Sequence, residues 1–229
     1  AGTYGTMSWF LDQFIIDCEQ RVAAKKLAQR TVDDYRVALR YLKPFFGQML
    51  PSEVRPHHVS EYLAIGEKAD RAVRANRERS CLSACMSWML RSNHGGLLVN
   101  PCMRRSGVER NSETERDRYV THEEYKAVFE AAGRAVRLMM ELTYRTLQRP
   151  ESDIIDWTTA NVVTKGEVKV LRFKQHKTHA AIDIALTGQL GDLVRGAIGD
   201  VPVLHQPIVH SLKGAKYSYS GLSAMLKRA

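Results

Sequence analysis

Long apolar runs are missing from these 229 residues. No stretch approaches the roughly 20 apolar residues that a membrane-spanning helix needs, and the start, AGTYGTMSWF, carries no signal-peptide pattern. A soluble, cytoplasmic protein with no membrane partner is therefore expected. Cysteine is scarce: Cys18, Cys81, Cys85 and Cys102 are too few and too scattered for a disulfide framework. Cys81 and Cys85 stand one helical turn apart, but no nearby His or Cys pair completes a zinc spacing, so reduced, buried thiols are expected. Acids are outnumbered, 25 Asp and Glu against 34 Lys and Arg, giving a formal charge of +9. That excess favours a polyanionic partner, of which nucleic acid is the commonest. Gly-rich phosphate loops, HExxH, a nucleophile elbow and metal-binding carboxylate clusters are also absent. Neither a cofactor nor a metal is implied.

What is present in the first hundred residues is helical periodicity with short connections. Residues 7 to 21 place Trp9, Phe10, Phe14 and Ile15 on an apolar set. In RTVDDYRVALRYLKPFFG, Thr31 is the expected N-cap, Asp33 and Asp34 suit a positive first turn, and Pro44 and Gly47 are expected to end the helix. RPHHVSEYLAIG fits a short third helix and residues 68 to 91 a long fourth. The first half of that fourth helix carries Arg71, Arg74, Arg77 and Arg79, and its second half, CLSACMSWMLRS, is apolar and small. The arginines read either as a solvated face paired to Glu67, Asp70 and Glu78 or as a face that tracks phosphates.

PCMRRSGVERNSETERDRY, residues 101 to 119, has almost nothing to build a core from and reads as an exposed linker. The organisation expected is a helical domain over 1–103, a basic linker over 104–119 and a second domain over 120–229. Thr121 and Glu124 form a capping box ahead of a new helix, and 134 to 147 is the next one. After Trp157 the period changes to alternation in GEVKVLRF and AIDIAL, with KG and KQHKTH as turns. The fold class expected is mainly α with a small β-sheet, a hairpin or three antiparallel strands, followed by a helix from Thr187 and another in SGLSAMLKRA.

One stretch is hard to reconcile with a plain core. LTYRTLQRPESDIIDW sets Arg149 and Pro150 between two apolar segments. A guanidinium there either pairs with a carboxylate or faces an anion from outside. Lys177, in the expected β-turn, is a second cation suited to phosphate; arginine offers a planar fork and lysine a mobile charge with a transferable proton.

These features together resemble the tyrosine site-specific recombinases, phage-type integrases in particular, over nearly the whole chain. TVDDYRVALRYL, NRERSCLSACMSWM and VNP resemble the helical core-DNA-binding domain of that family. ELTYRTLQRPESDI resembles the segment with its first catalytic arginine, which maps to Arg149, and QHKTHAAIDIAL the hairpin with its catalytic lysine, which maps to Lys177. The resemblance implies a partial α+β catalytic domain and a reaction in which a tyrosine attacks the scissile DNA phosphate, giving a 3′-phosphotyrosine linkage and a free 5′-hydroxyl. Arginines stabilise the transition state and the lysine protonates the leaving oxygen. An acid follows the first arginine in the family, usually by three residues; here Glu151 and Asp153 flank that position, and Glu151 is the expected partner, on a helix starting at Pro150.

The DNA contacts expected are Arg71, Arg74, Arg77, Arg79, Arg104, Arg105, Arg116 and Arg118, with His176 and His179 beside Lys177. The partner implied is double-stranded DNA, gripped by both domains and bound by four copies of the whole protein, with this chain alone a monomer. The family's H-x-x-R box and nucleophilic tyrosine have no match: His210-Ser211-Leu212-Lys213 comes too early, and Tyr217 and Tyr219 lie in what resembles the segment before that box. The sequence is thus expected to be an internal, cleavage-inactive fragment. A non-catalytic DNA-binding regulator is the alternative reading, and an RNA-binding helical module a further one.

Overall fold

The computed structural model describes residues 2–115, 117–176, 178–199 and 201–229. Two compact units divide the chain, Ala1–Arg116 and Asp117–Ala229.

The first unit holds α1 (Met7–Ala23), α2 (Gln29–Phe46), α3 (Pro56–Lys68) and α4 (Ala72–Arg91), with single 3₁₀ turns at Pro51–Glu53 and Arg104–Ser106. Its core is built from one stripe of each helix: Phe10, Leu11 and Phe14; Leu39, Leu42 and Phe46; Val59 and Leu63; Leu82, Met86 and Met89. All four cysteines lie buried in it as free thiols. Burial pushes Cys18 up to about 11 and Cys81 and Cys102 up to about 12, with Arg21 opposing at Cys18 and Arg79 at Cys102.

Three expectations about helix ends need correction. α2 starts at Gln29 behind Ala28, and Thr31 lies inside it. Asp33 is engaged along the helix instead, accepting from Gln29 Nε2 at 3.0 Å and Arg36 Nη1 at 3.0 Å, side-chain pairs that stabilise a helix without a cap. Nor does Pro44 end α2: the helix runs through it to Phe46, and Gly47 N–H donates to Lys43 C=O at 2.9 Å. Proline deprives only the carbonyl of residue 40 of its partner, and Arg40 is at the exposed surface, open to solvent. α4 begins at 72 rather than 68, because Asp70 takes a left-handed conformation (φ 54°) that closes α3.

The 101–115 stretch is not simply exposed. Cys102 and Val108 are buried in the first unit's core. Buried Asn76 of α4 donates to Asn111 C=O and Glu113 Oε1, both at 2.9 Å, and accepts from Asn111 N–H at 3.0 Å. Asn111 Nδ2 in turn donates to Leu63 C=O at 2.9 Å. Composition hid this, because polar side chains rather than apolar ones fasten the segment.

The second unit contains α5 (His122–Ala131), α6 (Arg134–Thr146), β1 (Val162–Lys165), β2 (Val168–Lys174), β3 (Ala181–Ala185), α7 (Gly188–Ile198) and α8 (Tyr219–Leu226). The Thr121–Glu124 capping box is formed in both directions. The sheet is antiparallel in the order β1-β2-β3, with Val163 opposite Val170 and Leu171 opposite Ile184. Gly166, at φ 61°, makes the tight β1–β2 turn. Arg172 and Asp183 pair across β2 and β3, Nε to Oδ1 at 2.8 Å, and Lys165 of β1 reaches the same carboxylate at 3.1 Å. Those bonds, Arg172 first, hold the Asp183 carboxyl well below the usual carboxylate range. Leu138 and Leu142 of α6, Leu171 and Phe173 of β2, Val194 of α7 and Leu222 of α8 share the unit's core with Ile154 and Trp157. Among the described residues no helix is long and apolar enough to cross a membrane.

Candidate nucleic-acid interface

In the second unit the end of α6 sets up the candidate site. Leu147 caps the helix in the left-handed region (φ 56°) with its side chain exposed. That reversal turns Gln148 inward, where its amide donates to Thr146 C=O at 2.9 Å, and leaves Arg149 outward. No helix starts at Pro150, contrary to expectation. Residues 149–154 form a tight turn in which Arg149 C=O accepts the N–H groups of Asp153 (3.0 Å) and Ile154 (3.2 Å), and Pro150 C=O accepts that of Ile155 (3.2 Å). One 3₁₀ turn, Ile154–Asp156, follows. Proline fits as the second residue of such a turn because its fixed φ suits it and no N–H is required. Ile154 and Trp157, both buried, anchor the far end as expected.

Asp153 is the residue that organises this region. It is 5% exposed, and its carboxylate accepts the Ser152 hydroxyl at 2.8 Å and the His176 backbone N–H at 2.9 Å. The Arg149 turn is thereby tied to the β2–β3 turn, itself closed by Gln175 N–H to Ala180 C=O and His179 N–H to Gln175 C=O, both 2.9 Å. Between the two turns lies a groove of about 160 Å³ lined by Arg149, Asp153, Gln175, His176 and Thr178, with Leu147 and Gln148. Arg149 and His176 are thus brought together; His179 is exposed on the same turn at φ 58°. Lys177 lies outside the described residues. Glu151, the acid expected to act with Arg149, is exposed and is not part of the groove's lining. Among the described residues no carboxylate forms an ion pair with Arg149. Arg149 is exposed, and among the described residues its guanidinium has no hydrogen-bond partner.

Replacing Asp153 with alanine is expected to speed amide exchange at His176 by roughly 10- to 100-fold, the worth of a hydrogen bond to a charged acceptor. Asp153→Asn, which keeps an acceptor oxygen, is expected to fall between. Wild-type exchange in both variants would remove Asp153 from this role.

In the first unit the α4 arginines divide by exposure. Arg74 and Arg77 face solvent, Arg77 with a loose 3.6 Å approach to Glu113. Arg71 lies over the Tyr41 ring, 4.1 Å from its centroid, and donates to Glu78 at 2.5 Å. Glu78, 1% exposed, also accepts the Tyr62 hydroxyl; burial and then that bond push the Tyr62 phenol up. Arg79 is buried and donates to Cys102 C=O. Two of the four α4 arginines are therefore engaged with other groups of the fold, a helical-face distinction that an arginine count does not reveal. Arg104 and Arg105 are exposed on their 3₁₀ turn, and Arg118 is exposed beside Glu124. Arg116 lies outside the described residues.

His210 is buried, with its ring nitrogens 2.9 Å from Ala197 C=O and 2.7 Å from Ser211 C=O. Tyr217 packs against the second unit's core, and Tyr219 opens α8. Among the described residues no three His, Cys, Asp or Glu side chains gather in a metal-ligating group.

No family model matches the sequence, and no curated protein does. The fold, however, is that of solved integrases. A lambda integrase tetramer bound to a Holliday junction superposes with a TM-score of 0.78 at 18% identity, over 97% of this chain and 65% of that one. A lambda integrase dimer bound to a COC′ core site gives 0.76 at 18% identity, covering 97% and 62%. The Tn1549 transposon integrase in complex with circular intermediate DNA gives 0.67 at 12% identity, covering 97% and 76%. This chain spans a little under two thirds of the length of the first two.

Proposed function

We propose that this chain binds duplex DNA as part of a tyrosine site-specific recombinase, with Arg149 and Lys177 handling the scissile phosphate. The observation that carries the reading is Arg149: an outward guanidinium on a rigid turn, tied through Asp153 to the hairpin turn on which Lys177 lies in sequence. It is supported by the likeness of the fold to integrases solved with DNA.

In the proposed reaction a tyrosine oxygen attacks the phosphorus, the bond from phosphorus to the 5′-oxygen breaks, and a 3′-phosphotyrosine forms. Arg149 would donate to the non-bridging oxygens as charge builds on them. Lys177 would deliver a proton to the departing 5′-oxygen. Asp153 replaces Glu151 as the positioning acid, acting on the two turns rather than by an ion pair to the arginine. Neither Tyr217, packed on the core, nor Tyr219, opening α8, is assigned as the nucleophile, so these 229 residues alone are proposed to bind without covalent attachment. The whole protein is proposed to act as four copies on DNA.

The test is a gel-shift titration against salt with a DNA duplex and an RNA competitor. Replacing Arg74 and Arg77 together with alanine is expected to leave the melting temperature unchanged and to reduce the slope of log affinity against log salt by about 2, roughly 0.9 for each phosphate no longer neutralised. A wild-type slope in the double variant would remove α4 from the interface, and equal competition by RNA would overturn the duplex reading.

A further inference from the structure

Around the turn that follows Cys102, the first unit has an open cavity of about 590 Å³ lined by Arg79, Ser83, Arg104, Glu109 and Arg110, among others. Three guanidinium groups thus share one cavity with a single carboxylate, that of exposed Glu109. Arg79 differs from the other two. It is 7% exposed, and among the described residues its Nε is the one buried side-chain nitrogen or oxygen without a hydrogen-bond partner. Burial lowers the pKa of this guanidinium; Cys102 opposes the shift, and the positive charge of Arg110 adds to it, so Arg110 stands within Coulomb reach. The Nε itself is closed off from solvent, so an occupant of the cavity would meet this guanidinium at its terminal nitrogens, of which Nη2 also donates to Cys102 C=O. Ser83 adds a neutral donor: its Oγ accepts from Asn100 Nδ2 at 3.1 Å, which leaves its own proton for an occupant. Gly107, at φ 80°, reverses the chain between Arg104 and Arg110 so that both border the same space.

We propose that this cavity is an oxyanion pocket that takes a phosphate group, with Arg79 as its buried donor and Arg104 and Arg110 as its exposed ones. Three arginines around one cavity suit a phosphate, because the planar guanidinium can donate to two of its oxygens at once. The pocket differs in kind from Arg74 and Arg77. Those act as solvated charges, whereas Arg79 is buried in the wall of the cavity. The phosphate has two sources, the backbone of a duplex or a free phosphate ion; the first rests on the DNA-binding reading above and the second does not.

The experiment follows unfolding of the 229-residue chain in sodium phosphate against sodium chloride at matched ionic strength, and in parallel its binding to a DNA duplex across a salt series. The variants are wild type, Arg104→Ala with Arg110→Ala, and Arg79→Lys, which keeps the charge and removes the fork. Phosphate at about ten times its dissociation constant is expected to raise the wild-type melting temperature by roughly 3 °C. That rise is expected to vanish in the double variant, whose melting in chloride stays at the wild-type value, and to shrink in Arg79→Lys. A loss of about 2 in the duplex salt slope of the double variant identifies the backbone as the source. Phosphate protection with an unchanged duplex slope identifies a free phosphate ion. Identical melting in phosphate and chloride, together with an unchanged slope, overturns the pocket. Wild-type duplex binding in that same series would leave the DNA reading intact, so the two proposals fail separately.

Discussion

Changing Glu78 to alanine is expected to destabilise the first unit by about 3–5 kcal/mol, the usual cost of removing one partner from a buried ion pair. Glu78 is almost fully enclosed, and its two oxygens are taken by Arg71 and the Tyr62 hydroxyl. Truncation leaves the guanidinium facing the Tyr41 ring without its counter-charge and the phenol without an acceptor. Arg71 keeps a quarter of its side-chain surface open to solvent, which lets it rehydrate in part and favours the lower end of the range. Tyr62→Phe removes a single hydrogen bond and is expected to cost only about 1 kcal/mol. Urea unfolding followed by the fluorescence of Trp9 and Trp88, which both pack against the first unit's core, reads the effect. A loss below about 1 kcal/mol for Glu78→Ala would show that this pair is solvated rather than internal.

Trp157→Ala is expected to cost the second unit a comparable amount, about 3–5 kcal/mol, through weaker packing and the cavity left behind. Trp157 is buried with its ring centroid 4.5 Å from that of Phe173, and its C=O accepts Ile208 N–H at 2.9 Å. It fixes the end of the segment whose beginning presents Arg149. The loss is therefore expected to reach the site, weakening duplex binding alongside stability, while Trp157→Phe recovers most of both. Arg149→Ala is the complement: exposed and without an ion pair among the described residues, it is expected to change stability by less than about 0.5 kcal/mol. Near-ultraviolet circular dichroism across a thermal scan separates the two. A large stability loss in Arg149→Ala would mean that the guanidinium serves the fold rather than an external anion.

Local patterns carried most of the fold. The stripe of α1, the apolar second half of α4, the Thr121 box and the alternation of β2 and β3 each depend on residues within a few positions of one another, so they are legible in one dimension. The helix ends at Thr31, Pro44 and Asp70 failed on local detail, and the other failures arose where a distant partner decides the outcome. Nothing near Asp153 in sequence says that its carboxylate meets the His176 N–H, and the family spacing, which Glu151 and Asp153 flank, carries no information on that contact. Arg79 looked like its neighbours until Cys102 C=O came to meet it from outside α4. Asn76 and Asn111 read as ordinary polar residues although they lock the 111–113 segment in place. Asn76 stands next to Ala75 and three positions before Arg79, both also buried on α4.

The state of the four thiols has a practical consequence for studying the DNA encounter. Every cysteine is enclosed and uncharged near neutral pH, its pKa raised by burial. A maleimide needs an accessible thiolate, so the native chain is silent to such reagents while folded. A cysteine placed at position 74 or 178, both exposed, would then take a fluorophore alone, with no native cysteine removed. One dye on α4 and one on the hairpin turn would give each unit its own reporter of duplex arrival.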